Sequence, residues 1–448
     1  MGSWLHLSEV ASMAQGELLG DDVMINSIST DTRKLLKDDL FVALEGENFD
    51  GHKFIDEGVE KIVGGVLVHK KVDTKLPQVL VGNTLEGLSC WAQAWRGIVD
   101  PKLVAVTGSN GKTTVKQMLN SVLSGVGSTC CTQGNLNNHI GVPLTLLSLR
   151  KNNKYAVIEM GANHHGEIDH LTKLGQPNVA VITNAGPAHL EGFGSVAGVA
   201  QAKGEIINGV KSSGAVVLNA DDQYIDVWLE KAKHLKIITF GFSAEANVRG
   251  EIDANNILSV TAWEEKIKIS LPLAGKHNAS NVLAVVAASY EMGVALQDIK
   301  QGLESTDQLK GRLQSKEGVY GSTIIDDTYN ANPASLQAAI EVLCSQPKEP
   351  WLVLGDMGEL GADAEAIHAQ IGEQAKTAGV KKLFGLGALA KHAVSGFGEN
   401  GFHFDQHEQL SEKLSHQANS QCCILVKGSR SMHMEDVVNI LIDSKTIH

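Results

Sequence analysis

The sequence predicts an α/β protein of three domains: a small α/β N-terminal domain, a central parallel-sheet domain of the P-loop type, and a Rossmann-like C-terminal domain. Short runs rich in Val, Ile, Leu and Ala alternate with helical stretches along most of the chain, the pattern of parallel strands buried on both faces. Many of the 46 glycines sit at the ends of those runs, where turns bring backbone close to a ligand. The 448 residues suit three cores at roughly 150 residues each, with breaks in the pattern near 98 and 311.

In residues 1–98, strands read at 39–44, 64–69 and 78–82, and a helix at 85–99 runs up to Asp100-Pro101, where proline disfavours helix in the residue before it. Residues 99–311 open with the strand KLVAVTG (102–108) and continue with strands at 154–161, 178–184, 214–221 and 235–242. The more polar, alternating stretch 247–272 predicts antiparallel strands, and a helix follows at about 277–292. Residues 312–448 repeat the doubly wound pattern, with strands at 322–329, 350–357, 381–387, 401–404 and 422–429.

Composition narrows the function. Lys and Arg number 38 against 51 Asp and Glu, a net charge of −13, which argues against nucleic acid as a partner because phosphate contacts need a basic face. The N-terminus carries no basic segment followed by an apolar one, and no run of about 18 apolar residues could span a membrane. The six cysteines include two adjacent pairs and no CxxC spacing, which fits reduced thiols in the cytoplasm.

The strongest single feature is TGSNGKTT (107–114), between an apolar strand and a helical stretch. Thr107, Gly108, Ser109, Asn110, Gly111, Lys112, Thr113 and Thr114 form a short phosphate loop. Its backbone N–H groups and the following helix N-terminus would face phosphate oxygens, Lys112 would neutralise the β- and γ-phosphates, and the Thr113 hydroxyl would sit on Mg²⁺. The spacing is shorter than the usual G-x-x-x-x-G-K-[ST], since Val106 lies five residues before Gly111. A second glycine pattern competes. FGLGALA (384–390) reads as G-x-G-x-x-A, and Asp405 follows Gly385 by 20 residues, the spacing of a dinucleotide fingerprint. An NAD(P)-linked enzyme with a regulatory ATP site at 107–114 is therefore the alternative, and a nucleotide-driven switch is a third reading.

Motifs along the whole chain carry a resemblance. They are STDTRK (29–34), LFVALEGENFDGHKF (40–54), TQGNLNNHIGVPLTLL (132–147), VIEMGANHHGEI (157–168), ITNAGPAHLEGFGS (182–195), AKGEI (202–206), GKHNASN (275–281), DDTYNANP (326–333), LGDMGELG (354–361) and VKGSRSMHME (426–435). In this order they resemble the Mur ligase family, ATP-dependent amide-forming enzymes of peptidoglycan assembly. Within the family the chain is most similar to the branch that adds D-alanyl-D-alanine to UDP-N-acetylmuramoyl-tripeptide. Folylpolyglutamate synthases share the glycine loop, but the N-terminal block and DDTYNANP argue against that assignment.

The resemblance implies a monomeric cytoplasmic ligase that binds ATP and two Mg²⁺ ions. It phosphorylates the peptide carboxylate and lets the dipeptide amine attack the acyl phosphate. Thr113 and Glu159 would hold one Mg²⁺, and His189 with a carbamylated Lys203 the other. His277, Asn278, Asn281, Arg312, Asp326, Tyr329 and Asn330 would reach ATP or the acyl phosphate, with Lys112. The UDP-sugar would lie on Ser29, Thr30, Asp31, Arg33, Gly46, Asp50 and His52. The muramoyl-peptide would face Asn135, Asn137 and Asn138. Asn332 would help place the dipeptide, and Lys427, Ser429 and Arg430 would meet a peptide carboxylate. Because these groups lie on three blocks, closure of the domains on ligand binding is expected. A zinc cluster in GANHHGEIDHL, with His165 and Asp169 four apart on one helix face, is a remote alternative.

Overall fold

The computed structural model describes residues 5–442 apart from 254, 272, 274 and 307–309. Three main sheets follow one another along the chain. The first has five strands in the order Glu17–Leu19, Gln78–Leu80, Gly65–Val68, Leu40–Val42, Ile28–Ser29, parallel except for Glu17–Leu19 at its edge. The helix Thr84–Val99 starts where Asn83 Oδ1 accepts from the amides of Leu85 and Glu86, an N-cap that satisfies free donors. It ends at Asp100, in the left-handed region at φ 41°, with Pro101 beyond.

That helix faces two ways. Leu88, Trp91, Ala92 and Trp95 share one continuous apolar cluster with Val142, Leu146 and Leu171 of the following segment. Its buried Arg96 donates from Nε to the carbonyl of Gly175 at 2.8 Å and pairs with Asp100 at 2.7 Å. The first and second sheets are therefore joined by apolar packing and not by a free linker.

The central sheet has nine strands: Thr129–Cys131, Tyr155–Glu159, Lys102–Thr107, Val179–Ile182, Ala215–Asn219, Lys236–Gly241, Val248–Ile252, Ile257–Ala262 and Glu265–Ser270, from edge to edge. The last three are the polar stretch read as antiparallel. Each pairs antiparallel with the next, as expected, and Val248–Ile252 also joins Lys236–Gly241 in parallel, which extends the sheet. Lys102–Thr107 lies between Tyr155–Glu159 and Val179–Ile182, and the chain winds outward from it in both directions. Its C-terminal end is thus a topological switch point, where open α/β sheets bind ligands.

The third sheet runs Gln314–Glu317, Thr323–Asp326, Cys422–Lys427, Glu349–Gly355, Lys382–Leu386, Gly401–Phe404, parallel except for its first strand. Apolar clusters cover both faces, as a doubly wound sheet requires. Its glycine turn at 385–390 does not offer a pyrophosphate site. Asp356 Oδ1 already accepts from the amides of Leu389 and Ala390, at 3.0 and 2.7 Å, and a Cβ at Gly387 would lie 2.6 Å from that carboxylate. A carboxylate of this chain takes the place a diphosphate would need, so the dinucleotide reading fails on geometry. Among the described residues, no helix is long and apolar enough to cross a membrane.

Candidate active site

The phosphate loop leaves the switch point in a conformation only glycine tolerates. Gly108 has φ 146° and Gly111 φ 82°, and a Cβ at either would collide with Thr183 Oγ1 or Asn281 Oδ1 respectively. Neighbouring loops fix it: the amides of Ser109 and Asn110 donate to the carbonyl and Oδ1 of Asn184, both at 3.0 Å. Thr107 Oγ1 donates to the carbonyl of Met160 at 2.8 Å. Lys112 opens the helix Lys112–Val126, with Thr113 and Thr114 in its first turn. Its ammonium curls over the loop and donates to the carbonyls of Gly108 at 2.6 Å and Ser109 at 3.1 Å. Burial pulls its pKa below the ordinary lysine range, Arg312 nearby pulls the same way, and Glu159 and Glu359 oppose them.

Glu159 ends the adjacent strand and is buried. Asn137 Nδ2 donates to its Oε1 at 2.8 Å, and the ammonium of Lys116 lies 3.3 Å from Oε2. Among the described residues that Oε2 makes no hydrogen bond, and the Lys116 ammonium is the cation beside it. Sequence reasoning missed Lys116. The signal was its place four residues after Lys112, one turn along the same helix face. Asn138 Oδ1 accepts from the amides of Ile140 and Gly141 just before the helix Gly141–Leu147, and Asn138, like Asn135, is exposed.

On the other side of the loop, His189 stands at φ 53° and its Nδ1 lies 2.6 Å from Glu359 Oε2 of the third sheet's domain. Lys203 is buried on the helix Val196–Gly204, its Nζ without a hydrogen-bond partner and 5.3 Å from the centre of the Phe193 ring. Burial and then the repulsion of Lys112 pull its pKa down to about 7. His165 and Asp169 do not share a helix face: the helix begins at Glu167, after Gly166 in the left-handed region, so His165 precedes it. Asp169 pairs with Lys173 at 2.6 Å, and His165 faces Glu205 at 3.8 Å. Among the described residues, no group of three or more His, Cys, Asp or Glu side chains is placed to hold a metal ion.

The third domain closes on this loop. Asn332 caps the helix Pro333–Cys344 with its Oδ1, and its Nδ2 donates to Asn110 Oδ1 at 2.7 Å. The Arg312 guanidinium stacks 4.3 Å from the centre of the Tyr329 ring. From the central domain, Asn281 presses against Gly111 and donates to Asn278 Oδ1 at 3.3 Å. His277 lies half-buried one residue before Asn278, and burial lowers its pKa.

Two groups expected to meet ligands turn inward. Asp326 pairs with Lys316 at 2.6 Å and accepts from Thr328 Oγ1 at 2.7 Å. Lys427 pairs with Asp327 at 2.5 Å and donates to the carbonyl of Asn330 at 2.9 Å. Lys427 therefore holds the 326–332 loop from below, with two of its three donors committed and its side chain 3% exposed. Ser429 is buried, its Oγ 3.1 Å from Ser431 Oγ, whereas Arg430 is exposed and pairs with Glu435 at 2.7 Å.

The Mur ligase middle domain matches residues 106–289, and the Mur ligase, glutamate ligase domain matches residues 311–430. The chain is 42% identical to the UDP-N-acetylmuramoyl-tripeptide–D-alanyl-D-alanine ligase of Escherichia coli (strain K12), over 98% of this chain and 99% of that protein. The chain belongs to the Mur ligase family. It is 35% identical to the ligase of the same name from Bacillus subtilis (strain 168), over 98% of each. Among solved structures it superposes on MurF from Acinetobacter baumannii with a TM-score of 0.92 at 35% identity, over 98% of both chains. MurF from Thermotoga maritima, in complex with ADP, gives a TM-score of 0.83 at 28% identity, over 93% of this chain and 96% of that one. A folylpolyglutamate synthase of Mycobacterium tuberculosis shares the fold at 17% identity, with a TM-score of 0.62, over 79% of this chain.

In the N-terminal domain of this Mur ligase, the expected nucleotide-sugar residues are divided by geometry. Ser29 and Thr30 are half-buried, next to Asp31, whose carboxylate pairs with the exposed Arg33 at 2.8 Å. This pairing holds Asp31 down to about 2. Gly46 lies at the tip of a hairpin formed by Glu45–Gly46 and Phe49–Asp50, beneath the Phe49 ring. Asp50 pairs with Lys70 at 2.8 Å and His52 at 2.7 Å. His52 is buried, with Nδ1 on Asp50 and Nε2 accepting from the amide of His69 at 3.2 Å. Both ring nitrogens are spent, so the side chain of His52 shapes the hairpin base and leaves no group for a ligand.

Proposed function

We propose that this Mur ligase joins D-alanyl-D-alanine to UDP-N-acetylmuramoyl-tripeptide at the expense of ATP, as a single chain, in the cytoplasmic phase of peptidoglycan synthesis. The observation that carries the reading is the switch-point loop itself, with Lys112 curled over it, Glu159 on the neighbouring strand and Asn332 of the third domain bonded to its Asn110. Residues 1–98 hold the UDP-sugar, 99–311 ATP and the peptide carboxylate, and 312–448 the dipeptide.

A carboxylate is too weak an electrophile for an amine, so it first attacks the γ-phosphorus of ATP. The P–O bond to ADP breaks and an acyl phosphate forms. The loop amides of 111–114 and the Lys112 ammonium hold the triphosphate, while Arg312, Tyr329 and Asn330 grip it from the third domain with His277, Asn278 and Asn281. The dipeptide amine then attacks the acyl carbon, phosphate leaves, and the amine's proton passes to solvent or phosphate. Thr113 and Glu159 would hold one Mg²⁺, Glu159 through an Oε2 that makes no hydrogen bond and has the Lys116 ammonium beside it. His189 and Lys203 fit a second only if Lys203 is a carbamate, because a bare ammonium repels the ion. The neutral Lys203 amine adds to the carbon of CO₂ and releases one proton, which a pKa of about 7 favours. When bound, the two ions shield the approaching anions from one another.

Purified protein with ATP and Mg²⁺ should release phosphate only when UDP-N-acetylmuramoyl-tripeptide and D-alanyl-D-alanine are both present, and yield the pentapeptide by mass. Supplying tripeptides ending in lysine or diaminopimelate identifies the natural third residue. Absence of the product with both would overturn the reading.

A further inference from the structure

Lys116 is the one fully buried cation of the phosphate-loop helix, at 0% side-chain exposure among the described residues. A buried ammonium is tolerated only with good partners. Lys116 has two, Glu159 Oε2 at 3.3 Å and the carbonyl of Gly134 at 3.1 Å. Gly134 belongs to the loop 132–140, which also sends Asn137 to Glu159 Oε1 at 2.8 Å. The carbonyl of Asn137 in turn accepts from the amide of Gly161 at 2.8 Å, just past the strand that Glu159 ends. One loop therefore reaches one carboxylate by two routes, through its own amide side chain and through the ammonium of the helix beneath it. A flexible point cation with three donors can serve a carbonyl and a carboxylate at once; a neutral side chain of the same length can serve neither.

We propose that Lys116 is a positioning residue for the ligase reaction. It ties the loop facing the acyl substrate to the phosphate-loop helix and to Glu159, so that filling that loop and setting the carboxylate are one coupled event. This rests on the ligase reading above. Lys116 is fully buried and offers no surface to nucleotide or reacting atoms; it acts through Gly134 and Glu159.

The test uses full-length protein with Lys116→Met and Lys116→Arg. Lys116→Met should raise KM for UDP-N-acetylmuramoyl-tripeptide about tenfold, the scale of one lost charge-assisted hydrogen bond, with KM for D-alanyl-D-alanine within about twofold of wild type. It also leaves Glu159 without its cation, so Mg²⁺ alone should raise the thermal midpoint more in Lys116→Met than in wild type. Lys116→Arg should recover part of the KM. An unchanged KM for the nucleotide-sugar peptide, or the same Mg²⁺ response in both proteins, would overturn the proposal. If Lys116→Met does not fold, Glu159→Gln and the neutral double variant K116M/E159Q replace it in direct titrations with the nucleotide-sugar peptide. Weaker binding by the double variant supports the tether, and equal binding overturns it. A wild-type enzyme that forms no product would overturn the ligase reading alone, because the titrations and midpoints measure binding.

Discussion

Lys427→Met separates two roles that one lysine cannot combine. Its ammonium lies 2.5 Å from Asp327 Oδ2 and 2.9 Å from the Asn330 carbonyl, with side-chain exposures of 3% for Lys427 and 12% for Asp327. Methionine keeps most of the stem and removes the charge. Asp327 is then buried with only the amide of Leu313, at 3.2 Å, as a donor. Removing one partner of a buried pair costs about 3–5 kcal/mol. At about 4 °C per kcal/mol for a unit the size of the third domain, its midpoint should fall by about 10–20 °C. Asp327→Asn in the same background removes the stranded carboxylate and should restore at least about half of that loss. Calorimetry of the wild type, both single variants and the double variant gives the coupling directly. KM values measured well below the transition then show whether any substrate has lost a contact. The loop-anchor assignment is refuted if Lys427→Met melts within about 2 °C of wild type while KM for the dipeptide alone rises. That outcome would return Lys427 to the substrate.

Three further outcomes follow. Lys203 titrates near 7 when folded against an ordinary 10.5, so between those values the unfolded chain binds the extra proton; wild-type stability relative to Lys203→Met should climb as pH rises from 7 to 10, and a flat difference in urea midpoints would refute the depressed value. Gly108→Ala forces a Cβ onto Thr183 Oγ1 at φ 146° and should cost about 1–3 kcal/mol and weaken nucleotide binding at least tenfold, read by titration with a fluorescent ATP analogue; tight binding would show that the loop can shift. Removing both polar bridges across the cleft, with Glu359→Ala and Asn332→Ala, should enlarge the ligand-free radius of gyration, and ATP plus substrates should reverse it; scattering curves that ligands leave unchanged would count against domain closure.

The strands and their order of appearance were readable because buried parallel strands write themselves as apolar runs. What escaped reading had a physical excuse. Gln314–Glu317 is an edge strand of QSKE with alternating exposure, indistinguishable in sequence from a polar loop. Thr129–Cys131 is three residues long and its pairing is visible only beside Tyr155–Glu159. In the site, Gly108, Gly111 and Lys112 were legible because their chemistry is local. The role of Lys427 was not, since its partner Asp327 lies 100 residues away and only the sheet order brings them together. The fingerprint at 385–390 misled for the same reason: nothing in FGLGALA shows that Asp356 fills its helix N-terminus.

A protein of net charge −13 that handles a triphosphate must collect its cations locally, and the partners of each cation say what it is for. Lys116 and Lys427 have carboxylates of their own, so an arriving anion gains little from them and they serve as fixed ties. Lys112 rests only on loop carbonyls and Arg312 on an aromatic ring; both attractions are weak enough for phosphate oxygens to replace. Lys203 has the Phe193 ring at 5.3 Å but no hydrogen-bond partner among the described residues, and its buried amine stands apart from the other four. As an ammonium it would add repulsion beside Lys112, whose charge already depresses its pKa. As a carbamate it would reverse sign and supply oxygen donors, turning the least satisfied atom of the site into a ligand. The same logic that sorts ties from grips supports the carbamate proposed for Lys203.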